Sequence, residues 1–337
     1  MNFGIIGYGT IAKTHAQVIE GLPDAKLVAI ATRSPEKARA AGAKHACAFY
    51  TDYREMLKRD DIDIVTICTP AVLHLPMALD AAATGKHCIV EKPIEINVER
   101  SQRIIEAFDK RGLTLSVIFQ HRFDPASRLM KDAIDIGAFG KLNYGTAKTV
   151  WFRDEDYYRA TVWRGAWDGD GGGALMNQAV HSIDLLQYLM GPVEAVCGKY
   201  DTLYHREIET EDIGVALLRF KSGAIGVIEG MTLAFPGRYS EVSVFGQLGS
   251  AGIRNDILEH YCFKVGKDTR FEALLGQGQE DPSKHPSFVR QYEDVIDAVK
   301  HGRPPVVTGQ EGSKSVKLIM GIYESSRINE WVSFDAP

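Results

Sequence analysis

Short apolar runs alternate with amphipathic segments through the first third of the chain. Their spacing predicts strands near Phe3–Ile6, Leu27–Ala31, Ile64–Cys68, His87–Val90 and Leu115–Ile118. Helical patterns fall between them, over Ile11–Glu20, Glu36–Ala41, Tyr53–Lys58, Leu73–Ala83 and Val98–Lys110. The run Ile64-Val65-Thr66-Ile67-Cys68 is apolar on both faces, as a strand covered by helices on either side must be. A doubly wound parallel sheet is expected.

After Gln120 the rhythm changes. A helix over Pro125–Ile136 and a Gly137–Gly140 turn precede strand-like runs at Tyr144–Phe152, Ala195–Tyr200, Gly214–Phe220, Ala224–Glu229 and Ser240–Phe245. One long helix, Ala174–Met190, interrupts them, and two more, Phe288–Lys300 and Glu311–Arg327, follow. Strands without intervening helices predict an α+β domain with a large, mostly antiparallel open sheet. The domains are expected at 1–120 and 121–337, with a C-terminal helix able to pack back on the first.

Composition narrows the class. A chain of 337 residues fits two domains at about 150 residues each. With 45% hydrophobic and 25% charged residues it reads as globular, not disordered or fibrous. A net charge of −5, from 39 basic and 44 acidic residues, argues against a general binder of nucleic acid or anionic membrane. Cys47, Cys68, Cys88, Cys197 and Cys262 are odd in number and never form a C-x-x-C pair, which fits free thiols in a reducing compartment. No basic segment precedes the first apolar run, and none of the runs approaches a membrane span of about 18 residues, so a cytoplasmic protein is expected.

The chemistry begins where the first strand runs into Gly7-Tyr8-Gly9-Thr10-Ile11-Ala12, a G-x-G-x-x-A pattern opening a helix. Gly7 permits the tight turn, Gly9 lets a pyrophosphate approach, and Ala12 allows close packing. The helix N-terminus offers N–H donors and partial positive charge. A dinucleotide site is expected. At the end of the second strand an NAD site usually carries an acid; here Ala31-Thr32-Arg33-Ser34 is followed by Lys37, with no acid before Glu36. An Arg with hydroxyls beside it suits a 2′-phosphate, so NADP is favoured over NAD. Histidine spacing shows no metal motif: His74, His87 and His181 fall on separate elements.

Four places in order give the chain a resemblance to the Gfo/Idh/MocA family of glucose-fructose oxidoreductases and inositol dehydrogenases. They are Gly7–Ala12; Cys68-Thr69-Pro70 with His74; Glu91-Lys92-Pro93; and Gly172-Gly173-Ala174-Leu175-Met176-Asn177-Gln178-Ala179-Val180-His181 followed by Asp184. The resemblance implies an N-terminal Rossmann domain, a C-terminal sheet carrying the substrate site and a homodimer or homotetramer interface, and hydride exchange between a nicotinamide and a sugar or cyclitol. It implies Lys92 as the catalytic lysine and His181 as the general base. Asn177 stands where many members have Asp; an amide can orient a hydroxyl but cannot take its proton.

Cofactor contacts are expected from Gly7, Tyr8, Gly9, Thr10, Ile11, Ala31, Thr32, Arg33, Ser34, Lys37, Cys68, Thr69, Pro70, His74, Glu91, Lys92 and Gln120. Substrate contacts are expected from Lys92, Arg122, Trp163, Arg164, Asn177, His181, Arg238 and Tyr239. The triple glycine Gly171-Gly172-Gly173 reads as room for a ligand to approach the His181 helix. Two alternatives carry less weight: a glycosidase that oxidises its sugar transiently, and a cofactor-binding sensor or co-repressor, against which the presence of both Lys92 and His181 counts.

Overall fold

In the computed structural model, residues 1–267 and 281–334 are described. They form two compact units: 1–120 with 281–313, and 121–267 with 314–334. Among them no helix is long and apolar enough to cross a membrane.

The first unit is built on six parallel strands, β1 (Asn2–Ile6), β2 (Lys26–Ala31), β3 (Ala48–Tyr50), β4 (Ile64–Ile67), β5 (His87–Val90) and β6 (Leu115–Val117). Their order is β3-β2-β1-β4-β5-β6. The order reverses between β1 and β4, the switch point where ligands bind at the carboxyl ends of such strands. Helices α1 (Thr10–Gly21), α2 (Pro35–His45), α3 (Tyr53–Leu57), α4 (His74–Ala83) and α5 (Val98–Asp109) connect them. Phe3, Ile5, Ile30, Ile64 and Ile89 are fully buried against Ala12, Ala16 and Ile19 of α1. The hydrophobic pattern misses only β3, whose three partly exposed residues are too few to show a period.

One boundary differs from the sequence-based expectation. Residues 281–313 belong with the first unit, not the second, because Tyr292 of the helix Pro286–His301 is fully buried in its core. Gln291 Nε2 donates to Val117 O at 2.8 Å, and Ser116 Oγ to Val307 O at 2.9 Å. A single linear boundary cannot represent a chain that returns.

The second unit carries eight strands, β7 (Leu142–Val150), β8 (Val193–Asp201), β9 (Ile213–Phe220), β10 (Ile225–Met231), β11 (Tyr239–Gly246), β12 (Gly249–Arg254), β13 (Ile257–Phe263) and β14 (Val332–Ser333). They lie in the order β13-β12-β11-β7-β10-β9-β8-β14. Among the described residues only the β7–β10 pairing is parallel; the other pairings are antiparallel. The hairpin β12–β13 is not visible in the sequence pattern because its residues, glycine- and charge-rich, alternate weakly. In β9, Ala216, Leu218 and Phe220 point into the core while Val215 and Leu217 stay exposed, so one face of the sheet remains open.

Helix α6 (Pro125–Asp135) and the short helices α7 (Glu155–Arg159) and α8 (Trp167–Asp170) precede the expected long helix. That helix is two pieces: a π-helical stretch, Ala174–Ala179, and α9 (Val180–Met190), which packs on β7 and β11. The unusual turn carries Asn177.

Candidate active site

At the end of β1, Gly7 adopts φ +92°, and its N–H donates to Ala31 O at 2.8 Å. A Cβ there would stand 2.5 Å from Cys68 O, so glycine is required by both conformation and space. Gly9 is different. Nothing lies within 4 Å of where its Cβ would be, and it begins α1 without any side-chain cap. The first N–H groups of α1, from Thr10 and Ile11 onward, therefore have no side chain closing them. Tyr8 turns its hydroxyl to His45 Nε2 at 2.6 Å, and His45 Nδ1 reaches Glu20 at 2.7 Å.

Around this turn, Ser34 caps α2 by accepting from Lys37 N at 3.3 Å, Thr32 N donates to Tyr50 O, and Arg33 and Lys37 are exposed. His74 is buried and clamps two loops: Nε2 lies 2.9 Å from Thr69 O, while Nδ1 lies 3.1 Å from Pro93 O. Burial pushes its pKa down. Its nitrogens are thus committed to the carbonyls of the Cys68-Thr69-Pro70 and Lys92–Ile94 segments, and it ties these two loops together.

Lys92 follows Glu91 at the end of β5 and precedes a cis peptide bond to Pro93. Glu91 Oε2 accepts from Lys92 N at 3.0 Å, and Oε1 meets His15 Nε2 at 2.8 Å. His15 Nδ1 continues to Tyr292 OH at 2.7 Å, which reaches Thr66 Oγ1 at 3.0 Å. Burial would push the Glu91 carboxyl up, but the His15 bond and charge, with Lys92, outweigh it and leave it below its ordinary value. Buried Glu91 is therefore a support for the lysine backbone rather than a ligand contact. Gln120 closes the unit with Oε1 buried and without a hydrogen-bond partner among the described residues.

In the second unit, the glycines before His181 serve a different end from the one expected. A Cβ on Gly173 would meet Glu211 O at 1.9 Å, and one on Gly172 would meet Tyr323 OH at 2.2 Å. They admit protein, not ligand. Fully buried Glu211 accepts from Gly173 N and Leu175 N, both at 2.8 Å, and from Tyr323 OH at 2.8 Å. Burial pushes its carboxyl up to about 7 against those three donors. Sequence reasoning missed it because its donors, Gly173, Leu175 and Tyr323, lie far away in the chain.

A cavity of about 130 Å³ opens beside α9, lined by His121, Trp151, Gln178, His181, Asn255 and Asp256 among others. Asn177 Nδ2 donates to buried Asp170 at 2.9 Å, and its Oδ1 accepts from Gln178 Nε2 at 2.7 Å. Gln178 in turn accepts from Arg153 Nη2 at 2.9 Å.

Arg122 does not offer its fork to a ligand. It is 3% exposed and forms a bidentate pair with Asp184, at 2.8 and 2.7 Å. Arg164 donates to Tyr157 O at 2.6 Å and stacks 4.0 Å from the Tyr157 ring centroid, with half-buried Trp163 on its other side. Arg164 therefore anchors the loop. Arg238 is exposed with its guanidinium over Tyr239; the neighbouring Ser240 and Glu241, not these two, line the cavity.

Comparison with known proteins agrees with this arrangement. The family model for an oxidoreductase family with an NAD-binding Rossmann fold, GFO_IDH_MocA, matches residues 1–119, and that for the GFO/IDH/MocA C-terminal domain matches 127–252. The WlbA dehydrogenase from Bordetella pertussis, solved in complex with NADH and UDP-GlcNAcA, is 32% identical with a TM-score of 0.88 over 99% of both chains. Myo-inositol 2-dehydrogenase of Thermotoga maritima is 28% identical over 94% of each chain. Levoglucosan dehydrogenase of Pseudarthrobacter phenanthrenivorans is 30% identical over 68% of this chain and 67% of its own.

Proposed function

This chain belongs to the Gfo/Idh/MocA family of nicotinamide-dependent oxidoreductases, and from that premise we propose that it oxidises a secondary alcohol of a sugar or cyclitol, or reduces the corresponding ketone. The observation that carries the reading is His181 lining a cavity of about 130 Å³ on the second unit, beside His121, Gln178 and Asn255. The residues of the first unit fit a dinucleotide: Gly9 leaves open space, α1 starts uncapped, and Gln120 keeps an acceptor with no donor among the described residues. Gly7–Ile11 would hold the pyrophosphate, with Ala31–Ser34 and Lys37 at the ribose and Cys68–Pro70 and Gln120 toward the nicotinamide. When bound, the nicotinamide supplies the hydride acceptor.

His181 removes the hydroxyl proton, its imidazole being suited to reversible transfer near neutral pH. The Lys92 ammonium stabilises the developing alkoxide. Asn177, tied to Asp170 and Gln178, orients the substrate hydroxyl and the turn that carries it, and takes no proton.

Arg33 and Lys37, exposed beside the start of α2, support NADP as the preferred cofactor. Arg33→Ala should raise KM for NADP about tenfold, the scale of a charge-assisted phosphate contact, and leave that for NAD unchanged; equal effects on both would remove the assignment. The exposed apolar positions Tyr144, Val215, Leu217, Ile225 and Phe245 on the open sheet face support association with further copies of the chain. Light scattering would report a dimer or tetramer, and Leu217→Lys should shift it toward monomer. Activity itself is tested by a panel of sugars, sugar acids and inositols with either cofactor, followed by nicotinamide absorbance.

A further inference from the structure

The cavity beside His181 contains a second imidazole. His121, just before α6, meets the His181 ring edge to face, with centroids 5.2 Å apart and planes at 87°. Its Nδ1 lies 2.8 Å from Asp124 Oδ2 and 3.2 Å from Asp256 Oδ1.

The second carboxylate is delivered by a purpose-shaped turn. β12 and β13 are joined by Asn255 and Asp256 alone, at φ +47° and +67°, the left-handed geometry that a two-residue hairpin of this type requires. Asn and Asp are the non-glycine residues that adopt this conformation most readily. Asn255 is pinned to β11, its N–H donating to Ser240 O at 2.9 Å and its Oδ1 accepting from Ser240 N at 3.0 Å.

The other charges near the pair are already matched. Asp184 on α9 is engaged by Arg122, and Glu241 on β11 by Arg254 at 2.8 Å, which also pairs with Glu259. Asp124 from the start of α6 and Asp256 from the hairpin are the carboxylates directed at His121. A neutral residue at 121 would remove the imidazolium that both acids meet.

We propose that His121 is a positioning residue for the reaction: as an imidazolium it offsets the negative charge of Asp124 and Asp256 beside His181 and so keeps His181 a neutral imidazole, able to accept a proton. The charge on His121 is favoured independently, since burial opposes it but the Asp124 bond and the Asp256 charge outweigh burial and raise its pKa. The inference rests on the assignment of His181 as general base.

The test is the pH dependence of kcat/KM for the intact enzyme with saturating cofactor. His121→Gln should move the acid limb to higher pH by about one unit, the scale of uncompensated charges a few ångströms from a titrating group, while His121→Arg, which restores a cation, should return it to the wild-type position. An acid limb of His121→Gln that stays in place or moves to lower pH overturns the proposal. An independent reading that needs no substitution in the measured protein is ring-carbon NMR of histidine-labelled enzyme: His121 should titrate at higher pH than His181, and the reverse order overturns the proposal. If His181→Ala retains full turnover, it is the general-base assignment that has failed, whatever His121 does.

Discussion

The glycine-rich turn of the first unit is made by residues that follow one another, Gly7 to Ala12, and its two glycines act through their own backbone. The surface around His181 is gathered instead from distant places: Glu211 and Tyr323 hold the start of its helix, and Asp124 and Asp256 meet at His121. Glycine shows the contrast best. Gly9 has open space where its Cβ would be, as the proposed nucleotide site needs, whereas Gly172 and Gly173 are small because Tyr323 and Glu211 are already there. The same residue type at two glycine-rich helix starts thus leaves space open in one and lets the protein close on itself in the other.

That comparison can be broken by substitution. Gly173→Ala should destabilise the second unit by about 3 kcal/mol or more, since a methyl 1.9 Å from a backbone oxygen forces overpacking that side-chain motion cannot relieve; denaturant midpoints would show it. Gly7→Ala should cost about 2 kcal/mol, from the positive φ and the Cys68 carbonyl, and abolish nucleotide binding. Gly9→Ala sharpens the contrast. It should leave thermal stability within about 1 kcal/mol of wild type while weakening nucleotide binding strongly, as measured by cofactor fluorescence titration. If Gly9→Ala unfolds the protein and Gly173→Ala does not, the roles of the two helix starts are reversed.

The smallest effect concerns Glu211. Its folded pKa of about 7 stands above the ordinary carboxyl value, so its stabilising contribution is complete below that ordinary value and is lost as pH rises through about 7. Glu211→Gln should therefore lose less melting temperature than wild type between about pH 5 and pH 8, by a few degrees. A parallel pair of pH–stability curves would mean that the carboxylate is better solvated than its burial implies.

The fold was legible wherever a period ran long enough. The strands and helices of the first unit, and β7 to β11, follow from alternation and amphipathic spacing. β3 and the hairpin β12–β13 did not, being too short or too weakly alternating; that a C-terminal helix could pack back on the first unit was expected, but its extent, 281–313, is a long-range fact that no local pattern encodes. The site divides in the same way. Gly7, Gly9, Lys92 and His181 stand in motifs, but Arg122 was expected to meet substrate because nothing in its neighbourhood announces Asp184, and Glu211 drew no expectation because its donors lie far away in sequence. His121 sits next to Arg122 and near Asp124, yet its second carboxylate partner, Asp256, comes from the distant β12–β13 hairpin.

The central claim is that Lys92 and His181 carry hydride exchange on a sugar or cyclitol. The most direct measurement is steady-state nicotinamide absorbance for wild type, Lys92→Ala and His181→Ala on whichever substrate the panel identifies, with nucleotide affinity determined alongside. Both variants should bind the cofactor and lose turnover by about two orders of magnitude or more, the range set by general acid–base and electrostatic catalysis. Turnover near wild type in both would contradict the account.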